Sequence, residues 1–302
     1  MRRRGWIIAS VLAVAAIAWL ADALWFEPES TTVTALDVAV PSWPANTAPV
    51  RAVFLADIHI DPVHMTPKRV NDIVARANAL RPDIILLGGD YIGGDWLTLH
   101  RSRKREVRDA AENAREQQGL AALGSLNAPL GVYAVLGNHD CWWSCDDTRD
   151  ALTAQHIQVL DNSSARIARA GGDLWLEGLQ NKTTGHPDFA KAMQGVPAGV
   201  AEVTMIHEPD PFVKGPAAAT GLVLAGHTHA GQVRFPLIGA PVRNSRYLEE
   251  TAKGWLLRGN RILIVTRGLG ESGLPIRFGA PPQIMVLTLH PGPVAKVTPS
   301  KP

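Results

Sequence analysis

The chain has 302 residues, 46% hydrophobic and 19% charged, with 30 basic against 28 acidic side chains and a net charge of +2. This composition excludes disordered and collagen-like chains, and so small a charge argues against a nucleic-acid partner. The length suits one large α/β domain plus a small extra element.

Three arginines, Arg2 to Arg4, precede Trp6–Phe26, an apolar stretch interrupted only by Ser10 and Asp22. About 20 apolar residues cross a bilayer as a helix. No Lys or Arg follows until Arg51, so the positive-inside bias predicts one N-terminal transmembrane helix with the remainder extracytoplasmic, periplasmic in a bacterium. A cleavable signal peptide is the rival reading, because Ala21-Asp22-Ala23 resembles a small-residue cleavage pattern. The apolar run continues beyond that point, which favours a retained anchor. Arg3-Arg4-Gly5-Trp6-Ile7 also loosely resembles a twin-arginine export signal. After the anchor (1–26), residues 27–49 read as a polar linker, 50–290 as the catalytic domain and 291–302 as a flexible tail.

Val53–Ala56 reads as a strand running into Asp57-Ile58-His59. Thr66 then caps a helical pattern through Leu80, with Pro67 at its first position. Ile84–Gly89 is a second strand and ends in Asp90, so Arg51–Gly89 forms a strand–helix–strand unit with parallel strands. Leu99–Leu126 is helical in pattern. Its basic start, Arg101 to Arg108, is either a solvated helix face or a contact for acidic headgroups or a phosphate-rich substrate.

Val132–Gly137 is a third strand, running into Asn138-His139-Asp140. Cys141 and Cys145, the only cysteines, predict a disulfide in an exported domain. Trp142 and Trp143 are either a lip over a site or packing, and Thr148–His156 is a further helix. Short strands then follow at Leu174–Leu176, Val203–Ile206, Leu222–Ala225, Ile262–Val265 and Ile284–Leu289, separated by Gly and Pro loops, which suggests a second sheet packed on the first. Two of them run into His207 and into His227-Thr228-His229. Gly268–Gly273 fits a dinucleotide glycine pattern, but Leu274-Pro275-Ile276 leaves no room for the helix it needs, so it reads as a loop. His64, His100, His156, His186 and His290 have no partner pattern and read as surface or structural residues.

Five strands thus end directly in potential metal ligands. In layered α/β proteins ligands bind at the carboxyl ends of strands. Asp57, Asp90, Asn138 and the histidines would meet at one edge as a mixed nitrogen–oxygen donor set, suited to Mn, Fe or Zn. Asp-x-His, His-x-His or Gly-Asn-His-Asp alone is more often surface, core or turn. All five in this order, each after an apolar run, is not readily supplied by chance.

Asp57-x-His59, Gly89-Asp90, Gly137-Asn138-His139-Asp140, His207 and Gly226-His227-x-His229 together resemble the calcineurin-like metallophosphoesterase family. The likeness runs from about Val50 to Leu289. Gly231-Gln232-Val233-Arg234 and Gly268-Leu269-Gly270 through Pro281-Pro282 resemble its membrane-anchored bacterial subgroup. The resemblance implies a four-layer α/β/β/α sandwich of two stacked mixed sheets. It implies two divalent metal ions, one held by Asp57, His59, Asp90 and His229, the other by Asp90, Asn138, His207 and His227. Some members place an acid three residues after the bridging Asp to orient the catalytic His. Here that position is Gly93, which leaves Asp95, Asp140 or nothing for the task.

The chemistry expected is hydrolysis of a phosphate ester, a water bridging two cations losing its proton near neutral pH and attacking in line. His139 belongs to neither metal set and is cast as general acid or transition-state stabiliser, with support of a ligand as its blander role. The anchor leans the expected substrate towards a phosphodiester or pyrophosphate, including a phospholipid or a nucleotide-linked lipid. Rival readings are a phosphomonoesterase, a metallohydrolase of another bond, and a non-catalytic scaffold; the last is disfavoured by the complete ligand set.

Overall fold

The computed structural model describes residues 2–93, 108–213 and 221–302. Helix α1 (Arg2–Ala21) continues through a π-helical segment, Asp22–Phe26, into a last turn, α2 (Glu27–Glu29). The run Trp6–Glu29 is long and apolar enough to cross a membrane by length and composition. Its apolar side chains from Trp6 to Ile17 are exposed on the protein.

The expected linker is only partly one, because Thr32–Val40 forms strand β1. Threonines made the segment look polar, but they alternate with Val and Ala, and Leu36, Val38 and Val40 are fully buried, as a strand interior requires. Then follow β2 (Val50–Leu55), α3 (Pro67–Ala79), β3 (Ile84–Leu87), α4 (Ala110–Ala122), β4 (Val132–Ala134), α5 (Asn138–Ala154) and β5 (Gln158–Val159). The second half contributes β6 (Ser163–Ile167), β7 (Leu174–Gly178), the short α6 (Phe189–Ala192), β8 (Ala201–Met205), β9 (Leu222–Ala225), β10 (Trp255–Arg258) and β11 (Arg261–Val265). The chain closes with β12 (Gln283–Pro291) and β13 (Lys296–Ser300).

One sheet has the order β13-β1-β12-β2-β3-β4-β5 and the other β10-β11-β9-β8-β7-β6. Strands β2 to β5 run parallel, as the strand–helix–strand reading required. The reading of the second half needs one correction. Ile284–Leu289 does not join the second sheet but returns as β12, antiparallel to β2 and parallel to β1. The flexible tail is also corrected: Lys296–Ser300 pairs antiparallel with β1 and buries Val297. Pro299 is tolerated there because β13 is an edge strand.

The layers follow from period-two alternation. Val53, Leu55, Ile85 and Leu87 point to the helices, while Ala52, Phe54, Ile84 and Leu86 point to the second sheet's Leu176, Val203, Met205, Leu222 and Leu224. A smaller cluster, including Phe212, Val223 and Leu263, covers the second sheet's outer face. The fold is therefore two mixed sheets with flanking helices. Thr66 caps α3 by accepting from Arg69 N, as its sequence predicts. Helix α5 starts well before Thr148, at Asn138, and Cys141 and Cys145 within it are disulfide-bonded. Of the expected helix Leu99–Leu126, the part before residue 108 lies outside the described residues, as do Asp95, His100 and most of the basic run. Arg108, at the end of that run, is no solvated group; it pairs with the fully buried Glu116 at 3.1 Å.

Candidate metal centre

Strands β2, β3 and β4 are neighbours in one sheet, β8 and β9 in the other, and their carboxyl ends meet. Asp57, His59, Asp90, His227 and His229 all have positive φ, between 48° and 68°. Such backbone is costly for residues other than glycine and persists where the surroundings over-determine it, typically at functional sites. Strands β2, β3 and β9 thus turn sharply just where they present these residues.

Two carboxylate–histidine groupings of interest result, each holding some members of one expected ligand set. Asp57, His59 and His229 lie together, and so do Asp90, His207 and His227. Asp90 touches both, its Oδ2 lying 3.6 Å from His59 Nε2 and 3.1 Å from His207 Nε2. Asn138 is buried, and its Oδ1, like Asp57 Oδ2, has no hydrogen-bond partner among the described residues. Buried oxygen acceptors are rarely left unpaired, so these two atoms fit a cation ligand.

The ring orientations agree. His207 Nδ1 donates to Gly88 O at 2.8 Å and His229 Nδ1 to Gly270 O at 3.1 Å, which turns both Nε2 lone pairs inward. His59 Nε2 faces His229 Nε2 at 3.1 Å, two nitrogens converging on one point. Burial holds His59 down to about 4, against the pull of Asp90, and burial with the charges of His59 and Arg277 holds His229 well below its usual range. Both are neutral, as a ligand must be. Burial pushes Asp57 up to about 7, opposed by His207 and reinforced by Asp90. Burial would lower His207 as well, but Asp90 and Asp57 raise it to about 10. Burial acts to raise Asp90, yet His207, His139 and His59 hold it well below the carboxylate range. A proton on His207 thus supplies positive charge that a divalent cation between the two carboxylates would replace. The donor set fits such ions.

Asp140, one of the alternatives for orienting His139, uses both carboxylate oxygens on the backbone: it accepts from Asp90 N, Tyr91 N, Ile92 N and Gly137 N at 2.8 to 3.1 Å. It clamps the Asp90 loop to the Asn138 loop. Gly137 must be glycine there, since a Cβ would stand 2.1 Å from Asp90 Oδ1. Gly93 likewise cannot become the missing acid, because a Cβ would meet Ile60 O at 2.3 Å.

His139 is buried beside Asp90 and His59. Its backbone N donates to Asp90 Oδ1 at 2.8 Å, its ring stands edge-on to His59 at 4.6 Å, and Ser272 Oγ lies 3.4 Å from its Nε2. It also lies within ligand reach alongside His59 and Asp90. Trp142 packs against it at 4.7 Å, whereas Trp143 is buried and donates to Asn113 Oδ1. Gly268–Gly273 is a loop, as read, and folds against Asp57 and Ile58. His64 is structural, buried and bonded to Pro275 O. Sequence patterns missed Arg277, which is fully buried, pairs with Glu271 at 3.1 Å and binds the carbonyls of Arg267, Gly270 and Ala280. No spacing marks an arginine whose partners are backbone carbonyls.

Two stacked sheets with such a donor set at their common edge define a class, the metal-dependent hydrolases. The calcineurin-like phosphoesterase family model matches residues 50–231, and the chain belongs to that family as a metal-dependent phosphoester hydrolase. It is 30% identical over 251 residues to Phosphodiesterase YaeI of Escherichia coli, spanning 81% of this chain and 83% of that one. It is 27% identical over 269 residues to the uncharacterized metallophosphoesterase YkuE of Bacillus subtilis, with 88% of each chain covered. A bovine "Transmembrane protein with metallophosphoesterase domain" is 28% identical over 278 residues, 86% of this chain but 57% of the relative.

Proposed function

We propose that the chain is a single-pass, membrane-anchored phosphodiesterase or pyrophosphatase with its active site outside the cytoplasm, acting on a lipid-linked phosphoester. The observation that carries the hydrolytic reading is Asp90, whose Oδ2 lies 3.6 Å from His59 Nε2 and 3.1 Å from His207 Nε2 and so reaches a histidine of each grouping. Support for a diester comes from the relative named a phosphodiesterase. Support for the membrane comes from Trp6–Glu29 and from the relative named a transmembrane protein.

In this reading Asp57, His59, Asp90 and His229 hold one divalent ion and Asp90, Asn138, His207 and His227 the other, with Mn, Fe or Zn suited to these donors. Such ions, once bound, supply an activated water and neutralise charge on the phosphoryl oxygens. Gly88 O and Gly270 O fix the two imidazoles that must stay neutral and pointed inward. His139, held by its backbone to Asp90 and flanked by Ser272, is placed to protonate the leaving oxygen at Nε2. The test is turnover of bis-p-nitrophenyl phosphate, p-nitrophenyl phosphate and a polyprenyl pyrophosphate by the full chain in detergent with manganese. Faster turnover of the diester or pyrophosphate is expected. Preference for the monoester would replace this reading with the phosphomonoesterase.

A further inference from the structure

The N-terminal helix does not hang from the catalytic body; it is built into it. Arg277 N donates to Ala23 O at 2.9 Å, and Gly279 N donates to the Glu27 carboxylate at 2.8 Å. Arg69 pairs with Glu29 at 2.8 Å. Trp19 stacks on Phe235 at 6.3 Å and meets Phe278 edge-on at 5.7 Å. At about 1.5 Å of rise per residue, a hydrocarbon core of about 30 Å entered at Trp6 is left only near Trp25. Trp19 and Ala23 therefore contact the body before the helix has left the apolar layer. The surface around that contact stands at the depth of the bilayer boundary.

That surface is apolar where it should be. Phe235 and Gly239 exchange both backbone hydrogen bonds, 3.0 and 2.9 Å, and close a tight hairpin. Its tip is Pro236-Leu237-Ile238, with Leu237 98% and Ile238 74% exposed. Val242 nearby is 72% exposed, and Trp25 and Phe26 present exposed aromatic faces on the helix itself. Arg234 and Arg243, both ion-paired with Glu249, line a cavity of about 450 Å³ together with the tip. An apolar tip with aromatics and arginines beside it is the composition of a segment lying in a membrane interface. Pro236 has no N–H to desolvate, which lowers the cost of burying the turn in lipid.

We propose that the hairpin Phe235–Gly239, with Val242, is a second membrane contact that enters the leaflet from which α1 emerges. This contact begins six residues after the ligand His229, so it would hold the metal centre at headgroup height. It rests on α1 spanning the bilayer, as in the reading above, but not on which bond the site cleaves.

The experiment is spin-label accessibility on the full chain in nanodiscs of phosphatidylglycerol and phosphatidylcholine. Because Cys141 and Cys145 are bonded to each other, one added cysteine labels uniquely. Three variants suffice: L237C at the tip, V14C in the helix, and V294C, an exposed apolar position beyond the far end of β1. All three sites are exposed, so none threatens folding. The L237C label is expected to resemble V14C, with oxygen collisions raised and nickel-chelate collisions several-fold below V294C. A tip as open to nickel as V294C would overturn the proposal, and so would a V14C label outside the lipid. Turnover of bis-p-nitrophenyl phosphate on the same discs separates the two claims, since a water-exposed tip on an active enzyme sinks only this one.

Discussion

The two sheets bring opposite chemistry to the joint between them. The first supplies the oxygens Asp57, Asp90 and Asn138 along with His59, from strands β2, β3 and β4, and both of its faces are covered by apolar side chains. The second supplies only histidines, His207, His227 and His229, and keeps the carboxylates of Glu177 and Glu202 on its outer face. Each is braced in its own way. The oxygen side is clamped by Asp140 accepting backbone N–H groups. The histidine side is aimed across the gap, His207 at Gly88 O and His227 N at Asp57 Oδ1. The lesson is that neither sheet carries a site alone; the centre exists only where the two are held in register.

The harshest way to break this arrangement is to remove a strand. A chain trimmed to begin at Ala45 loses β1, which lies between β12 and β13 in the first sheet. We expect it to be insoluble or to lack a cooperative thermal transition, whereas a chain that keeps Thr32–Val40 folds. Next in effect is Asp140→Asn, which sets an amide donor against backbone donors. Unpaired buried groups of this kind cost about 1–3 kcal/mol each. A calorimetric midpoint several degrees lower and metal affinity about 10–100-fold weaker are expected. Unchanged metal affinity would show that the clamp is not needed.

His139→Ala probes the joint without dismantling it. Metal content should be retained, while turnover of a poor-leaving-group diester falls about 10²–10⁴-fold, the usual contribution of a general acid. Rates with p-nitrophenolate as leaving group should fall far less. Equal losses on both would favour a ligand-supporting role instead.

The smallest effect sharpens the contrast on the far face of the second sheet. Burial, with the charge of Glu202 adding, raises Glu177 well above its ordinary value of 4.5, and its Oε1 has no partner among the described residues. A carboxyl whose folded value is raised costs nothing below its unfolded value and loses stability as pH climbs above it. Glu177→Gln should therefore be neutral near pH 4 and stabilising by about 1–2 kcal/mol at pH 8, by denaturant unfolding. A variant no more stable at pH 8 than the parent would contradict this cost, which the single hydrogen bond from Thr204 Oγ1 to Oε2 only partly offsets.

Much of this was legible in sequence, for a physical reason. Strands buried on both faces must be continuously apolar, so the polar residue that ends each one stands out, and Asp57, Asp90, Asn138, His207 and His227 were found that way. The cap at Thr66 was legible because its hydrogen bond is local. What was missed depends on distant partners. β1 and β13 look like linker and tail until β1 is seen to pair with β12 on one side and β13 on the other. Asp140 was noticed only as one of three alternatives for another task, because a side chain can be read as polar without showing that its partners are four backbone amides. Arg277 belongs with these, its role being set by the loop it threads.

The most direct test of the two-cluster centre is metal content measured alongside turnover. The full chain and Asp90→Ala would be loaded with manganese, desalted, and assayed by elemental analysis and on bis-p-nitrophenyl phosphate before and after chelation. Two manganese ions per chain are expected in the parent, with turnover abolished by chelation and restored by metal. Asp90→Ala should lose at least one ion and fall by about 10²–10³-fold or more, since the residue serves both groupings. Full turnover after chelation, or an Asp90→Ala chain that keeps both ions and its rate, would contradict the account.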